Sequence, residues 1–517
     1  MKLLHSILAA TALPVMAQQQ KPNIIVFLVD DMGWQETSVP FYKERTPLND
    51  RYRTPNMERL AERGVKFMQA YACPVSSPSR CSLLTGMNAA RHGVTNWVGR
   101  YDEDTNAPGG DLDLPEWNWN GIQPASSALS DDRRHSCPVT ALPELMRQGG
   151  YYTIHCGKGN FGSGFTSGAD PKNFGFDVNI AGSAAGCPES YLAADNYGTG
   201  FHHIRGLEKY YKRGDFLTEA LTLEALKAMQ KPIDEGIPFF LYFAHYAIHT
   251  PYQADTRFTG NYQDDDGTGC YDKMLGERLN KEEINHAALL EGMDKSLGDV
   301  MDFLEKEKIA QNTIIIFMSD NGGQGIWPRQ GQHNRVQNYP ARGGKGSAFD
   351  GGVHEPMIVC WPGVVMGGTE NHNRVVIEDF FPTVLEIGGV TNSKTVQTID
   401  GQSFAPLLRD PSLRRERPLI THYPNRWVES LQSSEGYGTY SALMRSRYHL
   451  IYSWEDRSLR LYDLEADPGE QQDIAKANPD VVKEMASELS DSLRSYGAAR
   501  PVPKGKKKPV PWPDGKR

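Results

Sequence analysis

Cysteine is scarce in this chain of 517 residues: seven are present, at Cys73, Cys81, Cys137, Cys156, Cys187, Cys270 and Cys360, and no two form a Cys-x-x-Cys pair. No cysteine spacing therefore suggests a zinc site, while seven permit disulfides that leave one odd and whose connectivity sequence cannot assign. Long apolar runs are also missing. Nothing after residue 17 reaches the ~18 apolar residues of a membrane-crossing helix. Basic residues are outnumbered, 55 Lys and Arg against 64 Asp and Glu, for a formal charge of −9. A surface of that sign suits neither nucleic acid nor an anionic membrane. No internal repeat is apparent, which argues against a repeat array.

What is present begins with an export signal. Lys2 precedes an apolar run through Leu3, Leu4, Ile7, Leu8 and Leu13, and Val15-Met16-Ala17 offers a small-residue cleavage site. Residues 1–17 are read as a signal peptide and the mature protein as exported, periplasmic or secreted. Gln18 follows the cut, where a lipoprotein would carry cysteine. With 39% hydrophobic residues the remainder can bury a substantial core. We expect a large catalytic unit over residues 20–411, a smaller one over 415–500, and a mobile, solvated tail over 501–517 in which lysines alternate with prolines.

Five short segments rich in Ile, Val, Phe and Tyr read as buried strands: Ile24 to Val29, Tyr152 to His155, Phe239 to His245, Thr313 to Met318 and Met357 to Trp361. Helical patterns lie between them. Thr54-Pro55 opens one and Gly64 closes it, and apolar spacing of three and four marks others near 216–229 and 282–304. Alternating strands and helices predict an α/β fold with a large, mostly parallel sheet sandwiched by helices. From Leu419 onward, short alternating segments and a helix near 479–495 predict a small antiparallel sheet with one helix.

Parallel sheets bind ligands beyond the carboxyl ends of their strands, and the polar residues fall there. Asp30-Asp31 follows the first strand, Gly157-Lys158 the second, His249 the third and Asp320-Asn321 the fourth. A buried structural network accounts for any one of these; four delivered to one sheet edge point to a site. Asp30, Asp31, Asp320 and Asn321 offer only oxygen, which suits calcium or magnesium rather than zinc, and flexible carboxylates favour calcium. Arg80, Lys158 and Lys345 can stabilise negative charge developing on an oxyanion, and His249 can protonate a leaving oxygen. Ser76-Ser77-Pro78-Ser79-Arg80 places a hydroxyl on the loop before a helix opened by Pro78, where an anion is favoured.

That segment, continued through Cys81-Ser82-Leu83-Leu84-Thr85-Gly86, resembles the signature of the formylglycine-dependent (type I) sulfatases, with Ser76 in place of the more usual cysteine. The likeness extends over Asn23 to Asp473, through Ile25 to Trp34, Cys156-Gly157-Lys158, His249-Thr250-Pro251, Ser319 to Gly323, Arg342 to Gly346 and Leu461 to Leu464. The resemblance implies an alkaline-phosphatase-like fold and sulfate-ester hydrolysis by an aldehyde diol made from Ser76. It implies a calcium ion held by Asp30, Asp31, Asp320, Asn321 and the modified Ser76. Arg80 and Lys158 would hold the diol and sulfate, while Lys345 and His249 would contact the sulfate and leaving group. A serine-oxidising maturation enzyme becomes a partner, and a sulfated saccharide, such as a glycosaminoglycan or mucin chain, the substrate.

One departure stands out. Where the family shows Gly-Lys-x-His, this chain reads Gly157-Lys158-Gly159-Asn160, and an amide cannot take a proton at neutral pH. His155 is a candidate to stand in. His354 and Glu355 also replace an Arg and an apolar residue. Sugar contacts are expected from Asn160, Trp97, Arg100, His202, His203, His333 and Arg335, with Trp117 in a long irregular loop. Two other readings use the same residues: a phosphatase or phosphonate hydrolase of this superfold, and a degenerate sulfatase that only binds sulfated glycans.

Overall fold

Asn23–Val29 (β1) is apolar from Ile24 onward because both of its faces are covered: Ile25, Phe27 and Val29 enter one apolar cluster, and Ile24, Val26 and Leu28 another. Successive strand residues point to opposite faces, so a strand between two helical layers has no polar side. The computed structural model describes residues 21–126, 133–324, 337–391, 393–427 and 436–516. The signal segment, His333 and Arg335 lie outside them.

Seven more strands complete the main sheet: Val65–Tyr71 (β2), Tyr152–Gly157 (β3), Val178–Ile180 (β4), Phe239–Ala244 (β5), Thr313–Ser319 (β6), His354–Cys360 (β7) and Thr369–Val376 (β8). Their order is β8-β2-β7-β6-β1-β5-β3-β4. All run in one direction except β7, which is antiparallel to both β6 and β2. The expected strands are all present. β2, β4 and β8 escape sequence reading because Lys66 and Gln69 interrupt β2, the first six residues of β8 are polar and β4 is only three residues long.

Helices Pro55–Arg63, Leu217–Glu235 and Lys281–Lys306 cover one face, and Ser76–Thr85, Leu142–Gln148 and Phe380–Ile387 the other. Thr54 and Gly64 flank the first where sequence places its ends, but Thr54 Oγ1 bonds Thr37 and Ser38 rather than the helix and Gly64 is extended. Asn280 accepts from the Glu283 amide while Glu283 reaches back, a capping box that starts the longest helix. Among the described residues no helix is long and apolar enough to cross a membrane. All seven cysteines are free.

Leu419–Tyr423 (β9), Tyr440–Arg445 (β10), Tyr448–Ser453 (β11) and Leu459–Asp463 (β12) form the smaller antiparallel sheet in chain order. Helix Pro479–Tyr496 covers one of its faces through Met485, Leu489 and Leu493. The other face places Tyr423, Tyr440 and Ile451 against Val75, Ala348 and Phe349. Val75 precedes Ser76 and Ala348 follows Lys345 by three residues, so this sheet braces two elements of the site. The tail departs from expectation. Val502–Pro503 pairs with Leu112–Asp113, and Trp512 packs 6.2 Å from Trp454 with the guanidinium groups of Arg494 and Arg500 over its ring. The tail's lysines are solvated, but its backbone is held by that strand pairing, by the Trp512 contact and by hydrogen bonds such as Tyr452 to the Pro511 carbonyl at 2.9 Å.

Candidate active site

Ser76 is the first residue of helix Ser76–Thr85, within its first turn rather than on the preceding loop. Arg80 follows one turn later, on the same helix face. The Ser76 hydroxyl lies 3.1 Å from Asp30 Oδ1 and 3.0 Å from Asn321 Oδ1. Asp30 leaves the end of β1, and Asp31 takes a left-handed φ of 64°, a conformation Asp tolerates better than most residues. Asp320 and Asn321 leave the end of the neighbouring, parallel β6, and the Asp31 amide donates to Asp320 Oδ1 at 3.2 Å. Two adjacent strands thus deliver four acidic or amide side chains to one point.

Cations surround them. Lys158, at the end of β3, donates to both oxygens of Asp30 at 2.9 and 2.8 Å. Arg80 Nε donates to Asp320 Oδ2 at 2.8 Å, with Nη2 2.7 Å from the same oxygen, and Nη1 donates to the Lys158 carbonyl at 3.2 Å. Lys345 Nζ sits 2.7 Å from Asp31 Oδ1, and His249 Nε2 3.6 Å from Asp31 Oδ2. All except His249 are buried.

Burial dominates the titration of this cluster and nearby charge decides its sign. Asp30 is pushed up to about 7 by desolvation, against Lys158. Desolvation also opposes ionisation of Asp31, but Lys345, His249 and Lys158 outweigh it and hold the carboxyl below its usual range. Burial lowers Lys158, whereas the Asp31 and Asp30 carboxylates keep Lys345 above its ordinary value. Burial, then Lys345, pull His249 down to about 3, so its imidazole is neutral near pH 7.

The donor set fits a hard cation. Asp30, Asp31 and Asp320 bring carboxylate oxygens within 4.8 Å of one another. Ser76 Oγ faces two acceptor oxygens with a single proton to donate, so one of those contacts pairs lone pair with lone pair. An oxygen-coordinated divalent ion resolves that conflict, and the absence of nitrogen or sulfur from the set points away from zinc.

Asn160 does not approach this cluster as a sugar contact. In a left-handed turn at φ 58°, it accepts from Ser77 Oγ at 2.5 Å and donates to the carbonyls of Val98 at 2.9 Å and Ala184 at 3.0 Å. It thereby fixes the residue next to Ser76. His155 does not stand in for the family histidine: its ring is bonded to Asn179 at 3.0 Å and packed against Phe161, Phe176 and Tyr242.

The expected sugar contacts divide. Arg100 and His203 line a cavity beside the cluster, whereas Trp97, 40% exposed, is not among its lining residues. His202 Nδ1 lies 3.4 Å from Cys187 Sγ. Trp117 is buried and its indole N–H bonds Asp104, a structural role. His333 and Arg335 fall outside the described residues. Sequence reading missed Gln324, which donates to Asp31 Oδ2 at 2.6 Å; its place just after Ser319–Gly323 was the available signal. It also passed over Ser77, whose neighbour drew the attention.

A doubly covered sheet with an oxyanion-stabilising, cation-ready cluster at its carboxyl edge defines an ester hydrolase of the α/β class that contains the phosphatases and sulfatases. A family model described as Sulfatase matches residues 22–390, and one described as N-sulphoglucosamine sulphohydrolase, C-terminal, matches 344–496. The chain is 28% identical to a sulfatase of Formosa agariphila over 97% of its own length and 93% of that protein. It is 31% identical to the N-acetylgalactosamine-6-sulfatase of Homo sapiens over 78% of this chain and 68% of that one. The crystal structure of Ps i-CgsB in complex with k-i-k-neocarrahexaose superposes with a TM-score of 0.68 at 24% identity, covering 92% and 93% of the two chains. This chain belongs to the sulfatase family and is a sulfuric ester hydrolase.

Proposed function

We propose that this protein is an exported carbohydrate sulfatase that works through a formylglycine made from Ser76 and a calcium ion held by Asp30, Asp31, Asp320, Asn321 and that residue. The carrying observation is the Ser76 hydroxyl set against Asp30 and Asn321 inside a ring of Lys158, Arg80, Lys345 and His249. A saccharide substrate is supported by the names of its relatives, one an N-acetylgalactosamine-6-sulfatase and one crystallised with a neocarrahexaose. Export is supported by residues 1–17.

When present, formylglycine supplies a nucleophilic hydroxyl and a means of releasing sulfate that plain serine lacks, and calcium adds positive charge at the sulfate. The chain's own residues do the rest. Arg80 and Lys158 are buried and fixed before substrate arrives, so they stabilise charge on sulfate oxygens without reorganising. Lys345 stays protonated beside Asp31. His249 Nδ1 lies 2.9 Å from the Thr250 carbonyl, which only an Nδ1–H can satisfy, so neutral His249 carries its lone pair on Nε2. An anionic sulfate beside Nε2 favours imidazolium, and the proton taken there is held where the departing alcohol oxygen needs it.

The phosphatase reading lacks support, since its two-metal, histidine-rich sites have no counterpart in this oxygen-only set. The test is to co-express the chain with a serine-oxidising maturation enzyme, confirm by mass spectrometry the loss of two hydrogens at residue 76, and measure sulfate release from a panel of sugar sulfates. Ser76→Ala should bind substrate but release none. Modified, calcium-loaded enzyme that binds the panel without turnover would instead make it a sulfated-glycan binder.

A further inference from the structure

Beside the catalytic cluster, at the carboxyl ends of β3 and β4, lies an open cavity of about 750 Å³, within the usual range of ligand pockets. One wall is the strap 181–185. The same strap touches the reaction centre, because the Ala184 carbonyl accepts from Asn160, which holds Ser77. The opposite wall is equally close in the chain: the Val98 amide donates to Ser77 Oγ at 2.9 Å, and Arg100 lies two residues further on.

Its lining is one-sided in charge. Arg100 and Arg205 contribute, and no Asp or Glu does. This is unexpected in a chain of net charge −9. Neither arginine is ion-paired among the described residues, and the Arg100 guanidinium lies 5.7 Å over the Phe201 ring. Phe165 projects from the rim 98% exposed, in a left-handed turn at φ 65°. Its ring is free to meet a ligand at the rim. Aromatic faces stack on sugar rings, and unpaired guanidinium groups bind sulfate or carboxylate through two parallel hydrogen bonds.

We propose that this cavity receives the sugar next to the sulfated one, and that this second sugar carries its own anionic group, held by Arg100 and Arg205 with Phe165 beneath the ring. The inference rests on the saccharide sulfatase reading and specifies its substrate: a polyanionic oligosaccharide rather than an isolated sugar sulfate. A sulfate ester and a uronate carboxylate share the chemistry that these groups recognise.

The experiment uses three matched disaccharides with the same scissile sulfate, whose second sugar is neutral, sulfated or a uronate. Formylglycine-bearing enzyme should show kcat/KM at least about tenfold higher on one or both anionic members than on the neutral one, and the ratio between the two identifies the source of the charge. Arg100→Ala with Arg205→Ala should abolish that preference, lowering anionic substrates about tenfold more than the neutral one. Phe165→Ala should raise KM on all three with kcat little changed. Titration calorimetry on the Ser76→Ala chain should show the same ranking in Kd, weakening as salt rises. No preference in the wild-type enzyme, or equal losses on all three disaccharides in the arginine variant, would overturn the proposal. Ranked binding with no turnover of any member would sustain the cavity's assignment and refute the hydrolytic reading instead.

Discussion

Replacing Arg80 with glutamine tests the centre of this site. Arg80 is wholly buried and neutralises Asp320 through two nitrogens at 2.8 and 2.7 Å, with Asp30 at 3.8 Å. Removing one partner of a buried ion pair costs about 3–5 kcal/mol, because the other charge stays desolvated. Unfolding entropy near 2.1 cal/mol/K per residue converts that, for this chain, into a fall in Tm of about 3–5 °C in the presence of a chelator. Calcium changes the outcome. At the proposed calcium site the ion and Arg80 would share Asp320; without Arg80 the ion would offset more of that charge, so the rise in Tm on adding calcium should be larger in Arg80→Gln. The assay is thermal unfolding of both proteins in EDTA and in excess calcium, with a rate measurement in calcium, where a fall of about 100-fold or more is expected for a lost oxyanion donor. An identical calcium increment in both proteins would refute the reasoning, because it would mean that Asp320 does not serve the ion.

Three further outcomes follow from the geometry. Asn160→Ala removes three hydrogen bonds and should cost about 2–4 kcal/mol, seen as a lower denaturation midpoint, and should lower kcat more than it raises KM by releasing Ser77; unchanged stability would show that these bonds are not made. His245 is buried, 3.0 Å from Ser296, and burial lowers it to about 3. Its folded value lies below the ordinary 6.5, so its stabilising contribution is complete above that pH and lost as pH falls toward 3. His245→Gln should therefore narrow its stability gap from wild type by about 2 kcal/mol between pH 7.5 and pH 5, and a constant gap would contradict the assignment. Trp512→Ala should destabilise by about 2–4 kcal/mol and expose the tail to protease, whereas a freely mobile tail would leave Tm unmoved.

Local pattern carried much of this protein. The apolar run of β1 states that the strand is buried on both faces, and the acidic pair that ends it states that something charged waits at the sheet's edge. Thr54-Pro55 and Gly64 mark a helix because helix-end signals are properties of three or four adjacent residues. The clustered polar residues were legible for a related reason: each stands at the end of a strand or in a short motif, so its neighbours in sequence announce it.

Tertiary structure decided what depends on residues far apart in the chain. Asn160 reads as a catalytic gap until its bonds to Ser77, Val98 and Ala184 show it holding the residue beside Ser76. The lysine-rich tail reads as mobile by composition, yet Trp512 finds Trp454 58 positions earlier. The cationic cavity joins Arg100, Phe165, the 181–185 strap and Arg205; of these sequence singled out Arg100 alone, and nothing local showed that the four meet. Sequence by itself determined five of the sheet's eight strands, its main helices and the residue types at the strand ends, since these follow from periodicity and residue type within a few positions. Only the folded chain decided how Ser76 is held and which charges face the substrate, because contacts between distant segments are set by packing and not by any local preference.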